Sequence, residues 1–239
     1  MEIIFILVEP ALPENIGASA RAIKTMGFRS LRMVNPVHYL TGKASWVAHG
    51  SDDILDNAAV YKTLAEAVED ATLVIGTTAR YRTIKKEYIP ADRLVSLIGA
   101  GKHGNGKIAI VFGREESGLT NEELKLCDIT TTVPLASGFP SLNLAQAVMI
   151  YAWELSQMVK HGSDTSGSTD VTETSSAGSV RALKEKAAVI MKNTGIDRQE
   201  ALCGRIMERI SLAGETDIRL MHSVTSAIIE KFNTKNPDK

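Results

Sequence analysis

The sequence predicts an α/β fold: a mostly parallel sheet flanked by helices, followed by a small appendage that is helical throughout. Three observations predict it. Short β-rich runs alternate with helical patterns across residues 1–160. Those runs are apolar at successive positions, as in strands buried on both faces. One stretch, 161–180, breaks the pattern with 13 Gly, Ser or Thr among its 20 residues. It holds too little apolar surface to offset its ordering entropy, which marks a flexible linker between a domain at 1–160 and a helical domain at 181–239.

The first strand is "IIFILV" at 3–8, and a helix near 15–26 leads to "LRMVN" at 31–35. A helix near 63–69 precedes "TLVIGT" at 72–77, and one near 91–98 precedes "KIAIVFG" at 107–113. Helix 120–126, strand "TTTVPL" at 130–135 and a closing helix at 141–159 complete the series. In the last of these, Gly138 and Pro140 break regular structure. Apolar residues then recur at helical spacing through Leu142, Ala145, Val148, Met149, Ala152 and Leu155. Ser141 and Asn143 sit at the junction, where Ser141 alone reads as a helix cap. Beyond the linker, one helix ends on Gly195 as its C′ residue, and two more run over 197–214 and 215–233.

Hydrophobic content of 44% and charged content of 23% describe an ordinary globular protein, and 239 residues suffice for one well-buried domain with an appendage. The formal charge of −1 argues against a wholly basic coat for nucleic acid but leaves room for a local basic face. Residues 181–239 carry 11 Lys/Arg against 8 Asp/Glu, so the tail is +3 and the remainder −4. Such a tail fits an anionic partner or simply a solvated bundle surface. Cys127 and Cys203 lie far apart and imply no disulfide framework. The first residues are too short and acidic for a secretory signal, and no apolar run approaches a membrane span. A cytoplasmic protein with no membrane contact is expected.

Ligands of an open parallel sheet bind beyond the carboxyl ends of its strands. After the first strand come Asn15 and Gly17, with Arg21 one helical turn beyond Gly17. The third is followed by "GTTARYRTIKK", where Arg80, Arg82, Lys85 and Lys86 surround Tyr81. After the fourth comes "FGREESGL", whose Gly113 and Gly118 bracket Glu115 and Glu116. Small residues at four strand ends permit close backbone approach to a ligand. Other chemistries lack their signatures. No G-x-x-x-x-G-K-[ST] loop is present, and the G-x-G-x-x-G match at Gly99–Gly104 precedes a strand instead of following one. The five histidines are scattered without metal-ligand spacing, so no metal is expected.

Three segments at these strand ends carry a resemblance. "NIGASAR" (15–21), "VFGREESGL" (111–119) and "VPLASGFPSLNLAQAV" (133–148) resemble the three signature motifs of the SPOUT superfamily, in its SpoU/TrmH branch of RNA ribose 2′-O-methyltransferases. The likeness runs through residues 1–159. "GTTAR" (76–80) and "FGRE…GLTNEEL" (112–124) place it nearest the TrmJ-like group. The resemblance implies a C-terminal trefoil knot in the sheet domain, an exception to the rule against threaded chains. It also implies a homodimer with each site built across the interface. S-adenosyl-L-methionine is the implied cofactor, held in an uncharged pocket by Thr77, Thr78, Ala79, Gly113, Val133, Gly138, Ser141, Leu142 and Asn143.

Arg21 is the implied catalytic residue, with Asn15 orienting it, while Glu115, Ser141 and Asn143 hold or polarise the nucleotide. A guanidinium ordinarily stays protonated, so Arg21 reads as a clamp on the target phosphate that eases 2′-alkoxide formation. Arg80, Arg82, Lys85 and Lys86 with Tyr81 make a phosphate-and-stacking patch for RNA, though a solvated loop reads the same way. The TrmJ-like group methylates the pyrimidine ribose (cytidine or uridine) at anticodon-loop position 32, which favours tRNA over rRNA as substrate. An rRNA 2′-O-methyltransferase and a non-catalytic RNA-binding SPOUT relative remain alternatives. The tail would either grip RNA or stabilise the dimer.

Overall fold

A computed structural model of the chain describes residues 1–40, 42–79, 88–100, 106–136, 141–162 and 177–235. In chain order the first elements are β1 (Glu2–Val8), α1 (Pro13–Thr25), β2 (Ser30–Val34), α2 (Gly42–Ala48), α3 (Asp52–Asp56), β3 (Ala59–Tyr61) and α4 (Leu64–Ala67). They continue with β4 (Leu73–Thr77), β5 (Ile89–Pro90), α5 (Leu94–Ala100), β6 (Lys107–Phe112), α6 (Asn121–Leu126), β7 (Ile129–Thr132) and α7 (Leu144–Gly162). The tail holds α8 (Ala177–Thr194), α9 (Glu200–Leu212) and α10 (Glu215–Lys235).

The strands form one sheet in the order β3-β2-β1-β6-β4-β7-β5, and every described pairing is parallel. Alternate residues of β1 enter different cores. Ile3, Phe5 and Leu7 face a layer with α1 and α7, while Ile4, Ile6 and Val8 face one with α4 and α6. This two-sided burial is what the unbroken apolar run at 3–8 predicts. Phe112 sits at the centre of the first layer, offset against Phe5 at 6.3 Å and edge-on to Tyr151 at 5.5 Å.

Local signals set the element ends. Pro13 opens α1, where its missing N–H would be unpaired in any case. Thr120 and Glu123 form a reciprocal capping box at α6. The sequence reading does not contain α2, α3, β3 or β5. The two strands span 3 and 2 residues, too short for a period-two pattern to stand out. Helix α7 extends through Gly162 and α8 begins at Ala177, so both helices reach into the stretch expected as linker.

The tail has its own small core of Val180, Leu183, Ala187, Met191, Ile210 and Ile218. Lys184 donates to Asp128, which stands just before β7, and Arg181 lies 3.9 Å from Glu69, just before β4. The tail therefore touches the sheet at the amino ends of its strands. No helix among the described residues is long and apolar enough to cross a membrane.

Candidate functional site

From β1 the chain runs outward to β2 and β3 on one side of the sheet, and β4 and β7 lie on the other side, beyond β6. The loops after β1 and β6 consequently diverge, and that switch point is where open α/β sheets hold ligands. A pocket opens beside it, at the carboxyl ends of β4, β6 and β7. Of the residues expected in a cofactor site, Thr77, Thr78, Ala79, Gly113, Val133, Ser141 and Leu142 line it together. Its rear wall is apolar, with the rings of Phe112 and Tyr151. Burial pushes the Tyr151 phenol above its usual range, against the hydrogen bond it makes to Thr131, so it stays neutral. The β4 end is anchored to both neighbours, since Thr77 Oγ1 donates to Val111 O at 3.0 Å and Thr78 N to Thr131 O at 3.0 Å.

The expected uncharged lining needs correction. Arg114, Glu115 and Glu116 also face the pocket, because the hairpin 114–118 folds back over its mouth through mutual Arg114–Gly118 backbone bonds. Asn143 is not among the lining residues and stands beside them.

A hydrogen-bonded chain runs from this hairpin across α1 to α7. Asn15 Nδ2 donates to Glu115 Oε1 at 2.9 Å, and Asn143 Nδ2 donates to Asn15 Oδ1 at 2.9 Å. Asn143 Oδ1 accepts from Ala145 N at 2.9 Å, and the Glu115 carboxylate also accepts from Ala11 N at 3.0 Å. Both ends dictate the same amide orientations, because a carboxylate only accepts and a backbone N–H only donates. Asn15 is 7% exposed, so this polar link is largely shielded from water.

The cap of α7 is therefore Asn143 and not Ser141. Gln146 reaches back to Asn143 N at 3.1 Å, completing a reciprocal cap. The spacing Asn-x-x-Gln at 143–146 is the sequence signal that identifies it.

Arg21 is exposed on α1 and has no hydrogen-bond or ion-pair partner among the described residues. Asn15 does not orient it, since the Asn15 bonds run to Glu115 and Asn143. Six residues of helix place Arg21 about 9 Å further along the axis and about 120° around it. Gly17, one turn before Arg21, is covered by α2, where an added Cβ would lie 2.1 Å from Ala44 O. The expected patch of Arg80, Arg82, Lys85 and Lys86, and the pocket residue Gly138, lie outside the described residues. Among the described residues no group of three or more His, Cys, Asp or Glu side chains is arranged to hold a metal.

Known proteins resemble this chain in sequence and in fold. The model of the SpoU rRNA methylase family matches residues 2–153, and that of the tRNA/rRNA methyltransferase LasT C-terminal domain matches residues 177–232. A protein of Escherichia coli named as an uncharacterized tRNA/rRNA methyltransferase LasT is 40% identical over 98% of this chain and 100% of its own length. The Pseudomonas aeruginosa tRNA (cytidine/uridine/adenosine-2′-O-)-methyltransferase TrmJ is 41% identical over 63% of this chain and 58% of its own. The crystal structure of TrmJ from Z. mobilis superposes with a TM-score of 0.68 at 29% identity, covering 95% of this chain and 99% of that one. The family match spans every strand of the sheet, both loops at the switch point and the start of α7, and the chain belongs to the SpoU rRNA methylase family.

Proposed function

We propose that the chain is an S-adenosyl-L-methionine-dependent methyltransferase acting on a ribose 2′-hydroxyl of RNA, with tRNA favoured over rRNA. The observation that carries this is the Glu115–Asn15–Asn143 chain, which joins the three motif segments at the rim of one pocket. Resemblance to the tRNA 2′-O-methyltransferase TrmJ favours tRNA. Nucleoside mass spectrometry of tRNA and rRNA from a deletion strain tests it. Loss of one 2′-O-methylnucleoside names the target, and an unchanged nucleoside profile in both RNAs would refute the activity.

The residues present fit the cofactor. The apolar wall around Phe112 and Leu142 suits an adenosyl group, and backbone groups at Thr77–Ala79, Gly113 and Val133 can read its polar edges. Among the described lining residues the one cation, Arg114, is occupied by carboxylates, whereas Glu116 faces the pocket with no partner among the described residues. That balance suits a sulfonium better than an anion. Bound there, S-adenosyl-L-methionine would supply the methyl group. The protein's tasks are then to align the ribose oxygen and to ease loss of its proton. Arg21 does the latter by holding the adjacent phosphate with its fixed positive charge. Ser141, at the pocket, and Asn143, beside it, orient the nucleotide.

In this reading the methyltransferase domain carries the trefoil knot of its family, and the protein works as a cytoplasmic homodimer in which Arg21 of each protomer completes the other's site. The placement of Arg21 supports this, since helical geometry sets it about 120° around α1 from Asn15, whose bonds run to the pocket rim of its own chain.

Residues 1–160 form the methyltransferase domain and the tail assists RNA binding. If the +3 tail neutralises phosphates, a chain ending at residue 160 should bind tRNA more weakly and with a flatter salt dependence. It should recover part of its activity at high RNA concentration. Affinity measured across a salt series, with light scattering to check the dimer, decides this. An unchanged slope with a weakened dimer would instead make the tail a stabiliser.

A further inference from the structure

The loop after β1 is held from the pocket side by two consecutive residues, and the second grip is not explained by the motif chain. Arg114 donates through Nε and Nη2 to Glu9 at 2.9 and 2.7 Å, and through Nη1 and Nη2 to Glu123 at 3.0 and 3.0 Å. Glu9 lies 105 residues away in sequence, immediately after β1, whereas Glu123 belongs to the capping box of α6. One planar guanidinium thus bridges two carboxylates in forked geometry, which a lysine cannot reproduce. The Arg114 side chain is 22% exposed and Glu123 16%, so part of the bridge is shielded from solvent. Glu9 has φ +45°, a left-handed conformation that costs a non-glycine residue energy and persists only when its surroundings hold it.

We propose that Arg114 and Glu9 are positioning residues that fix the start of α1, and with it Asn15 and Arg21, against the pocket loop. The inference rests on reading that pocket as the cofactor site. Residue 114 holds the segment at Glu9, and residue 115 holds it at Ala11 and Asn15. Two grips on one short segment fix both its position and its direction, so the first turn of α1 enters at a set angle. Arg114 lines the pocket as well, so the same side chain ties the α1 entry to the ligand's wall. The hydrogen bonds of Arg114 hold the Glu9 carboxyl below the usual carboxylate range, against slight burial and the nearby Glu123 charge. Burial pushes Glu123 up, yet Arg114 and Thr120 outweigh it and Glu123 is also lowered. The bridge is therefore fully charged at neutral pH. Removing Arg114 would leave two facing carboxylates, so Glu9 is the cleaner position to test.

Glu9→Gln in the full-length protein keeps the Arg114–Glu123 pairing and the α6 cap but puts an amide N–H₂ against the guanidinium. Hydrogen exchange of the amides at 11–17 should then quicken about tenfold or more. Methyl transfer to tRNA should lose about tenfold in kcat at saturating cofactor and RNA, because misplacing a catalytic group by a fraction of an ångström is enough. S-adenosylhomocysteine should bind within about threefold of wild type. Glu123→Gln, which spares the Glu9 arm, should leave exchange at 11–17 unchanged. Wild-type exchange in Glu9→Gln would overturn the proposal, as would a kcat loss matched by an equal loss of S-adenosylhomocysteine affinity. If wild-type protein methylates no RNA, the proposed function fails, and the exchange comparison still decides the clamp.

Discussion

Arg21→Ala should reduce methyl transfer by about a hundredfold or more, the scale of losing one preorganised charge at a developing oxyanion. S-adenosylhomocysteine affinity should stay within about twofold, since Arg21 is not among the residues lining the pocket of its own chain. An exposed guanidinium with no partner among the described residues contributes little to folding, so melting temperature should hardly move. RNA affinity should fall modestly, with the salt slope reduced by about one, as for a single phosphate contact. Arg21→Lys should keep part of the activity, because the charge remains while the fork is lost. Mixing distinguishes a site within one protomer from a site across two. Co-refolding Arg21→Ala chains with chains crippled in the pocket should restore activity in mixed dimers if Arg21 serves the partner's pocket. No restoration would place Arg21 in its own chain's site. An equal loss of cofactor affinity would make it a cofactor ligand and remove the phosphate clamp.

The sequence displays what is local and hides what is paired at distance. β1 and β6 are legible because every position of "IIFILV" (3–8) and "IAIVF" (108–112) is buried, leaving an unbroken apolar run. β3 and β5 have no such run, and they join the sheet only because β2 and β7 offer them an edge. The loops around the pocket are legible as small residues after strands, yet the partners that hold them are not. Arg114 and Glu9 are separated by 105 positions, and Glu115 and Asn15 by 100. Nothing in either segment alone says that the loop after β1 answers the loop after β6. That follows from the strand order, which puts β6 between β1 and β4. Ser141 drew the cap assignment because serine is common at helix starts. The decisive feature was instead Gln146, three residues after Asn143 and able to reach back to it.

Gly113→Ala should damage the cofactor site more than any other single added methyl in its wall. The new Cβ would stand 2.2 Å from Gly118 C, 2.2 Å from Leu119 N and 2.7 Å from Gly118 O. These are backbone atoms, which cannot rotate aside as a side chain can. Relief requires the 114–118 hairpin to move off β6, and that hairpin carries Arg114 and Glu115. The displacement therefore reaches Glu9, Ala11 and Asn15 through the bonds already described. Gly76→Ala is the matched control. Its Cβ would meet Cys127 Sγ at 2.7 Å, a side-chain atom of a residue buried in the layer with α4 and α6. Overpacking of that kind costs about 1–3 kcal/mol without redirecting a loop. Both variants should melt several degrees lower, at roughly 2–4 °C per kcal/mol for a chain of this size. Only Gly113→Ala should also lose about tenfold or more in S-adenosylhomocysteine affinity, measured by titration of the folded protein well below its melting temperature. If Gly113→Ala is folded and binds as tightly as wild type, the ligand does not depend on the hairpin. The cofactor would then have to sit elsewhere at the switch point.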